Sequence, residues 1–254
     1  MTDLAESKQD ATPTPWLKLF GGIWLRPAAT FHRIREHGGR GWMITAVLAI
    51  ILTTLPVLVA GPLLQAQAQE AFLAAQSQFE APPGVEVQQD IPDVIGSPLF
   101  TVALPAVGKL FGVVIGWLLW GAAIHLISMM SGGRNSFWQV LQTAVWAYLP
   151  LTLRDLIQTI YILISGQLIQ NPGLSGFAPL DTTNFTTAST SQIMLNSLLS
   201  RIDLYYFWNL ALLIIGIAIM AQFTRRKALG VVLIVWAVFT LLSLLPSLLV
   251  GGFS

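Results

Sequence analysis

The 254-residue chain contains no cysteine, which removes thiol nucleophiles, disulfide staples and cysteine-ligated metals from consideration. Charge is almost as scarce. Only 10% of the residues are Asp, Glu, Lys or Arg, against about 25% in soluble domains, so a soluble globule of this length would lack its polar coat. The net charge of +1 provides no broad basic surface to neutralise phosphates, which argues against a nucleic-acid partner. Three histidines, His32, His37 and His125, have no metal-ligand spacing. No glycine-rich phosphate loop opens a helix, and no serine sits in a nucleophile elbow. Enzyme chemistry therefore has little support, and no cofactor is expected. The first 15 residues (MTDLAESKQDATPTP) are polar, lack the apolar segment of a cleavable signal, and read as a disordered tail.

What the chain does have is apolar residues, 54% of the total, gathered into runs at 42–64, 105–130, 138–164, 204–223 and 228–250. Each is about 20 residues or longer, enough to cross ~30 Å of hydrocarbon at 1.5 Å per residue. The expected fold is an all-α membrane protein: a five-helix transmembrane bundle over 42–254, with outer loops 65–104 and 165–203. Gln65 to Glu80 extends the first span as a polar helix until Pro82-Pro83-Gly84 stops it, and 166–192 reads as an irregular loop leading into a helix near 193–200. Asn184-Phe185-Thr186 matches a glycosylation acceptor pattern that is common by chance.

Lys and Arg near span ends are retained on the cytoplasmic side. Lys8, Lys18, Arg26, Arg33, Arg35 and Arg40 precede the first span, Arg134 lies between the second and third, and Arg225, Arg226 and Lys227 between the fourth and fifth. Region 65–97 carries Glu70, Glu80, Glu86, Asp90 and Asp93 without a cation, and 165–200 carries Asp181 without one. The N-terminus is therefore expected inside and the C-terminus outside, in a plasma membrane.

Segment 16–41 opens with WLKLFGGIWLRPAATFHRIREH. Trp16, Phe20, Ile23, Trp24, Phe31 and Ile34 recur at near-helical spacing among Lys18, Arg26, Arg33 and Arg35, which predicts an interfacial pair of amphipathic helices, the second opened by Pro27 and ended by Gly38-Gly39. In one reading the apolar face sinks into the headgroup layer while the four cations meet anionic lipid; in the other the pair packs on the protein itself. Trp42, Trp138, Tyr205 and Tyr206 fall near span ends, as in an interfacial aromatic belt.

Charges inside the spans need a reason. Arg154 is 17 residues beyond Phe137, roughly 26 Å along a helix, and Lys109 is 21 residues before Met130, roughly 31 Å. Together with Arg201 and Asp203 at the start of the fourth span, Lys109, Arg154 and Asp155 are expected to share one outer layer. Helical neighbours point about 100° apart, so Arg154 and Asp155 are expected to seek partners elsewhere: Asp155 in Lys109 or Arg201, Arg154 in Asp203. The layer reads in three ways: as an inter-helix network fixing how the spans pack, as a site for an anionic lipid headgroup or small anion, since three cations face two carboxylates, or as side chains snorkelling to water. Pro150 is expected to kink the third span and free a carbonyl. His125, about 8 Å in from Met130, is expected to be neutral and hydrogen-bonded to a facing helix, with a proton relay as the alternative.

Pro27-x-x-Thr30-Phe31-x-x-Ile34, Gly132-Gly133 with Phe137, Gln139, Leu141, Ala147 and Pro150, and Asp203-Leu204 with Trp208, Leu210, Leu212, Gly216 and Lys227-Ala228-Leu229 follow one another from about residue 20 to 245. In that order and spacing the chain resembles the Yip family of multi-pass membrane proteins, whose eukaryotic members bind Rab-type GTPases. The resemblance implies five spans with a cytoplasmic N-terminus. It departs in one respect: the Asp-Leu-Tyr-Gly-Pro stretch that eukaryotic members carry ahead of their spans is missing, which favours a prokaryotic member in a bacterial inner membrane. What it implies is a non-catalytic scaffold or organiser that binds lipid or other membrane proteins, including further copies of itself. The alternative is a small transporter or channel subunit using the outer charged layer.

Because the chain has no native thiol, single cysteines report topology directly. Gln67→Cys should be labelled by an impermeant maleimide from outside only, and Thr224→Cys from inside only; labelling of both from one side rejects the alternating orientation.

Overall fold

The computed structural model describes residues 15–37, 39–77, 97–179, 189–200 and 202–251. Outside them lie the N-terminal tail, Gly38, the Pro82-Pro83-Gly84 stop, the acidic stretch from Glu80 to Asp93, Asn184 and Arg201. The chain forms α1 (Trp16–Leu25), α2 (Pro27–His37), α3 (Gly41–Ser77), α4 (Leu104–Met130), α5 (Phe137–Ala147), α6 (Leu149–Ser165), α7 (Thr190–Leu199), α8 (Leu204–Met220) and α9 (Arg225–Gly251). A π-helical turn, Leu99–Ala103, leads into α4, and no strand occurs among the described residues.

Four helical segments are long and apolar enough to cross a membrane: Gly41–Ala74, Leu99–Met130, Phe137–Ser165 and Arg225–Ser243. The remaining expected span is α8, whose 17 residues reach only about 26 Å; it counts as a fifth crossing when joined to α7, from which it is bent by 65°. Asp203 enforces the bend. Its extended backbone ends any continuous helix there, and its side chain accepts from the Tyr206 N–H to start α8, the role of an N-cap. At 37 residues α3 runs uninterrupted through Pro56 and Pro62. At roughly 55 Å it exceeds the hydrocarbon thickness, so its glutamine-rich end, Gln65 onward, is the expected polar extension.

The third span divides in two. Ser136 and Gln139 form a reciprocal capping box that opens α5, Tyr148 makes a turn, and Pro150 sits in the first turn of α6. Proline lacks the N–H that would continue the ladder. The carbonyl that its N–H would have served in a continuous helix is Trp146 O; one residue further on, Asn209 of α8 donates its Nδ2–H to Ala147 O at 2.8 Å, in a buried position.

The N-terminal pair does not lie flat with its apolar face in lipid. Trp24 packs edge-on against Trp208 with ring centroids 4.8 Å apart, Phe31 meets α8 at Gly216, and Arg35 Nη1 donates to Ile219 O at 3.1 Å. α2 therefore follows α8 in the same direction over 11 residues, roughly 17 Å, and α1 returns beside α3, where Trp16 Nε1 donates to Thr45 Oγ1 at 2.9 Å. Ile23, Phe31 and Ile34 are buried in the protein core. A stripe of apolar residues at helical spacing is hidden equally well by lipid or by another helix, so the pattern alone does not choose; here α8 covers it. Pro27 opens α2 as expected.

Gly216 makes that contact possible. A Cβ there would overlap the Thr143 methyl of α5 and stand 3.1 Å from the Phe31 ring, so three helices converge on a backbone without a side chain. Gly216→Leu should lower stability by about 1–3 kcal/mol, as overpacking does, read as a lower melting temperature and a smaller monodisperse fraction in detergent. Gly230→Leu, at a position with nothing within 4 Å, should leave both unchanged.

Candidate functional site

Arg154 lies one turn beyond Pro150 on α6, and its guanidinium spans two carboxylates. Nη1 donates to Asp203 Oδ2 at 2.9 Å, while Nε and Nη2 both donate to Asp155 Oδ1, at 3.2 and 3.1 Å. The Arg154–Asp203 pair was expected. The Arg154–Asp155 pair was not, because side chains of helical neighbours diverge; the long arginine stem overcomes that divergence by folding back, with five donors in a fork to share. Asp203 serves twice, its Oδ1 accepting from Tyr206 N at 2.6 Å while Oδ2 holds Arg154. One guanidinium thus ties α6 to the first turn of α8.

Asp155 is 2% exposed. Its Oδ1 is taken by Arg154, yet Oδ2 is buried with no hydrogen-bond partner. The expected pairing of Asp155 with Lys109 is absent: Lys109 makes no ion pair within 4.0 Å among the described residues. Arg201, the other expected partner, lies outside the described residues.

Lys109, Arg154, Asp155 and Asp203 all line one cavity of about 790 Å³ between α4, α6, α8 and α9. Its wall on α4 is made by Gly108, Gly112 and Gly116, at spacings that place them on one helix face; a Cβ at any of them would meet nothing within 4 Å. Away from the charges the lining turns aromatic, with Trp117, Trp120, Trp236 and Phe239. Trp120 stacks on Phe239 with centroids 5.5 Å apart, and Trp117 meets Tyr148 edge-on at 5.4 Å. The Trp117 indole N–H is buried without a partner. The cavity is polar at one end and aromatic along its length.

Sequence reasoning missed Asn209, Gln158 and the glycine face, all of which line this cavity. Signals for them existed: an asparagine inside an apolar span, a glutamine one turn past Arg154, and glycines repeating every fourth residue. Among the described residues no group of three or more His, Asp or Glu is placed to hold a metal.

The expected membrane-surface cations separate. Lys18, Arg26 and Arg33 are exposed, whereas Arg35 is engaged with Ile219 O near the end of α8, where a cation complements the unpaired carbonyls and the helix dipole. His125 does have a hydrogen-bond partner, but on the turn after its own helix rather than on a facing one: Asn135 Nδ2 donates to His125 Nδ1 at 3.0 Å. Trp42 and Trp138 pack together, with ring centroids 6.4 Å apart.

The family model of the Yip1 domain matches residues 21–245. No curated protein matches the chain, and no solved structure does. The family match begins within α1 and ends within α9, so it takes in most of the hairpin, the charged bridge and the whole cavity lining, and the chain belongs to the Yip1 domain family.

Proposed function

We propose that this protein is a non-catalytic organiser of the membrane that holds a lipid in the cavity beneath Arg154. The observation that carries the reading is the cavity itself, about 790 Å³ with charged residues at one end and indole and phenyl rings along the rest. That gradient matches an amphiphile, whose head needs ions or hydrogen bonds and whose tail needs apolar surface. The Arg154 bridge holds α6 and α8 at a fixed separation around it. The hairpin presents Lys18 and Arg33, both exposed, toward anionic lipid, with the N-terminus in the cytoplasm of a bacterial cell and the C-terminus outside. Other membrane proteins, or a second copy of the chain, are the partners such an organiser would gather.

Native mass spectrometry on protein extracted in a mild detergent should show one retained phospholipid per chain. Filling the cavity with Gly112→Leu, where the space is open, should remove it while the protein stays folded and monodisperse. A wild-type protein free of lipid in native nanodiscs rejects the reading.

A small transporter or channel subunit is the second reading, favoured by the same cavity reaching Arg154 and Asp155. It requires flux. Reconstituted protein should give no ion or solute leak above empty liposomes, and Asp155→Asn should not change that; a wild-type leak abolished by Asp155→Asn with unchanged stability establishes the transporter instead.

A further inference from the structure

The geometry points to a zwitterionic phospholipid with a primary amine in its headgroup as the occupant of the cavity, its ammonium donating to Asp155 Oδ2 and its phosphate facing Lys109. This identification rests on the lipid-binding reading and adds the chemistry of the head.

The argument starts from groups left incomplete. Asp155 Oδ2 is an acceptor in a residue 2% exposed, lining the cavity and without a partner. A buried carboxylate oxygen lacking a donor is costly, and the cost is relieved most by a charged N–H. The three Arg154 N–H groups that bond here go to Asp155 Oδ1 and Asp203 Oδ2, and none reaches Asp155 Oδ2. Lys109 lines the same cavity, half-buried and with no ion pair among the described residues. A ligand complementary to these two groups carries a hydrogen-bonding cation for one and an anion for the other.

The alternatives fail on chemistry. An anionic head without an amine satisfies Lys109 but brings further negative charge toward Oδ2 and leaves it without a donor. A trimethylated ammonium carries the charge but has no N–H to give. A soluble phosphoamine has the right head, yet leaves the aromatic length of the cavity unfilled. The glycines at 108, 112 and 116, with nothing within 4 Å of their Cβ positions, open about 12 Å of α4 to a chain lying along Trp117 and Trp120.

The test uses the full-length protein in nanodiscs whose matrix lipid is matched in acyl chain, with phosphatidylethanolamine, phosphatidylcholine or phosphatidylglycerol offered in competition and bound lipid read by native mass spectrometry. Phosphatidylethanolamine should be retained at least about tenfold over phosphatidylcholine, the ratio that one charge-assisted hydrogen bond confers. Asp155→Asn should shrink that ratio to about twofold while lipid is still retained, and Lys109→Gln should weaken all three lipids. Soluble O-phosphoethanolamine should displace none of them at equal concentration. Equal retention of phosphatidylethanolamine and phosphatidylcholine, a preference for phosphatidylglycerol, or displacement by the soluble head overturns the headgroup assignment while lipid binding stands. Absence of any retained lipid overturns the lipid-binding reading itself. Should Asp155→Asn fail to fold, the wild-type ratio decides alone.

Discussion

The structure depends on a single guanidinium. Arg154 is shared between a carboxylate beside it on α6 and one capping α8, in surroundings where an unpaired charge costs several kcal/mol. Removing one partner of a buried pair costs about 3–5 kcal/mol, and here each group has more than one duty. Asp203 starts α8 through Tyr206 N and anchors Arg154; Arg154 in turn neutralises Asp155. Asn209 adds a second tie a turn and a half further along α8, closing the carbonyl at Ala147 just before Pro150. The places where helix geometry is interrupted are therefore the places where α6 and α8 are joined.

Glycine does opposite things on the two sides of α8. At Gly216 the missing side chain lets Phe31 and Thr143 close in until no gap remains, giving the close approach on which helix packing in lipid relies, where burial of apolar surface no longer drives association. At Gly108, Gly112 and Gly116 no neighbouring helix has moved in, and the absent side chains become empty volume. The difference lies in what stands opposite. At Gly216 a phenyl ring and a threonine methyl stand opposite, whereas α4 meets α9 through the large rings of Trp120 and Phe239, which space the two backbones apart.

The spans were legible because their signal is length and composition, which any bilayer imposes: four are long enough by themselves, and the one expected at 204–223 is α8, which reaches that length only with α7 across the bend at Asp203. Rise per residue gave reason to look for Lys109, Arg154, Asp155 and Asp203 together, and all four line one cavity. What could not be read was side-chain reach and partner choice. Arg154 folds onto its own neighbour because its stem is long, a freedom that a 100° rotation per residue does not describe. The N-terminal hairpin was left with two readings for a related reason. Ile23, Phe31 and Ile34 demand an apolar surface, and sequence spacing does not say whether lipid or α8 supplies it.

A pinned α6–α8 pair suits the proposed binding site better than it suits a transport path. Alternating exposure of a site at this depth would require α6 and α8 to separate, which strands Arg154 or one of its carboxylates in a medium where that is worth about 3–5 kcal/mol. The closed bridge is therefore the low-energy arrangement, and a ligand that competed for Arg154 would have to overcome it. A donor aimed at Asp155 Oδ2 does not compete. The bridge uses Oδ1 and leaves Oδ2 without a partner, so a donor there can be added without breaking either bond of Arg154.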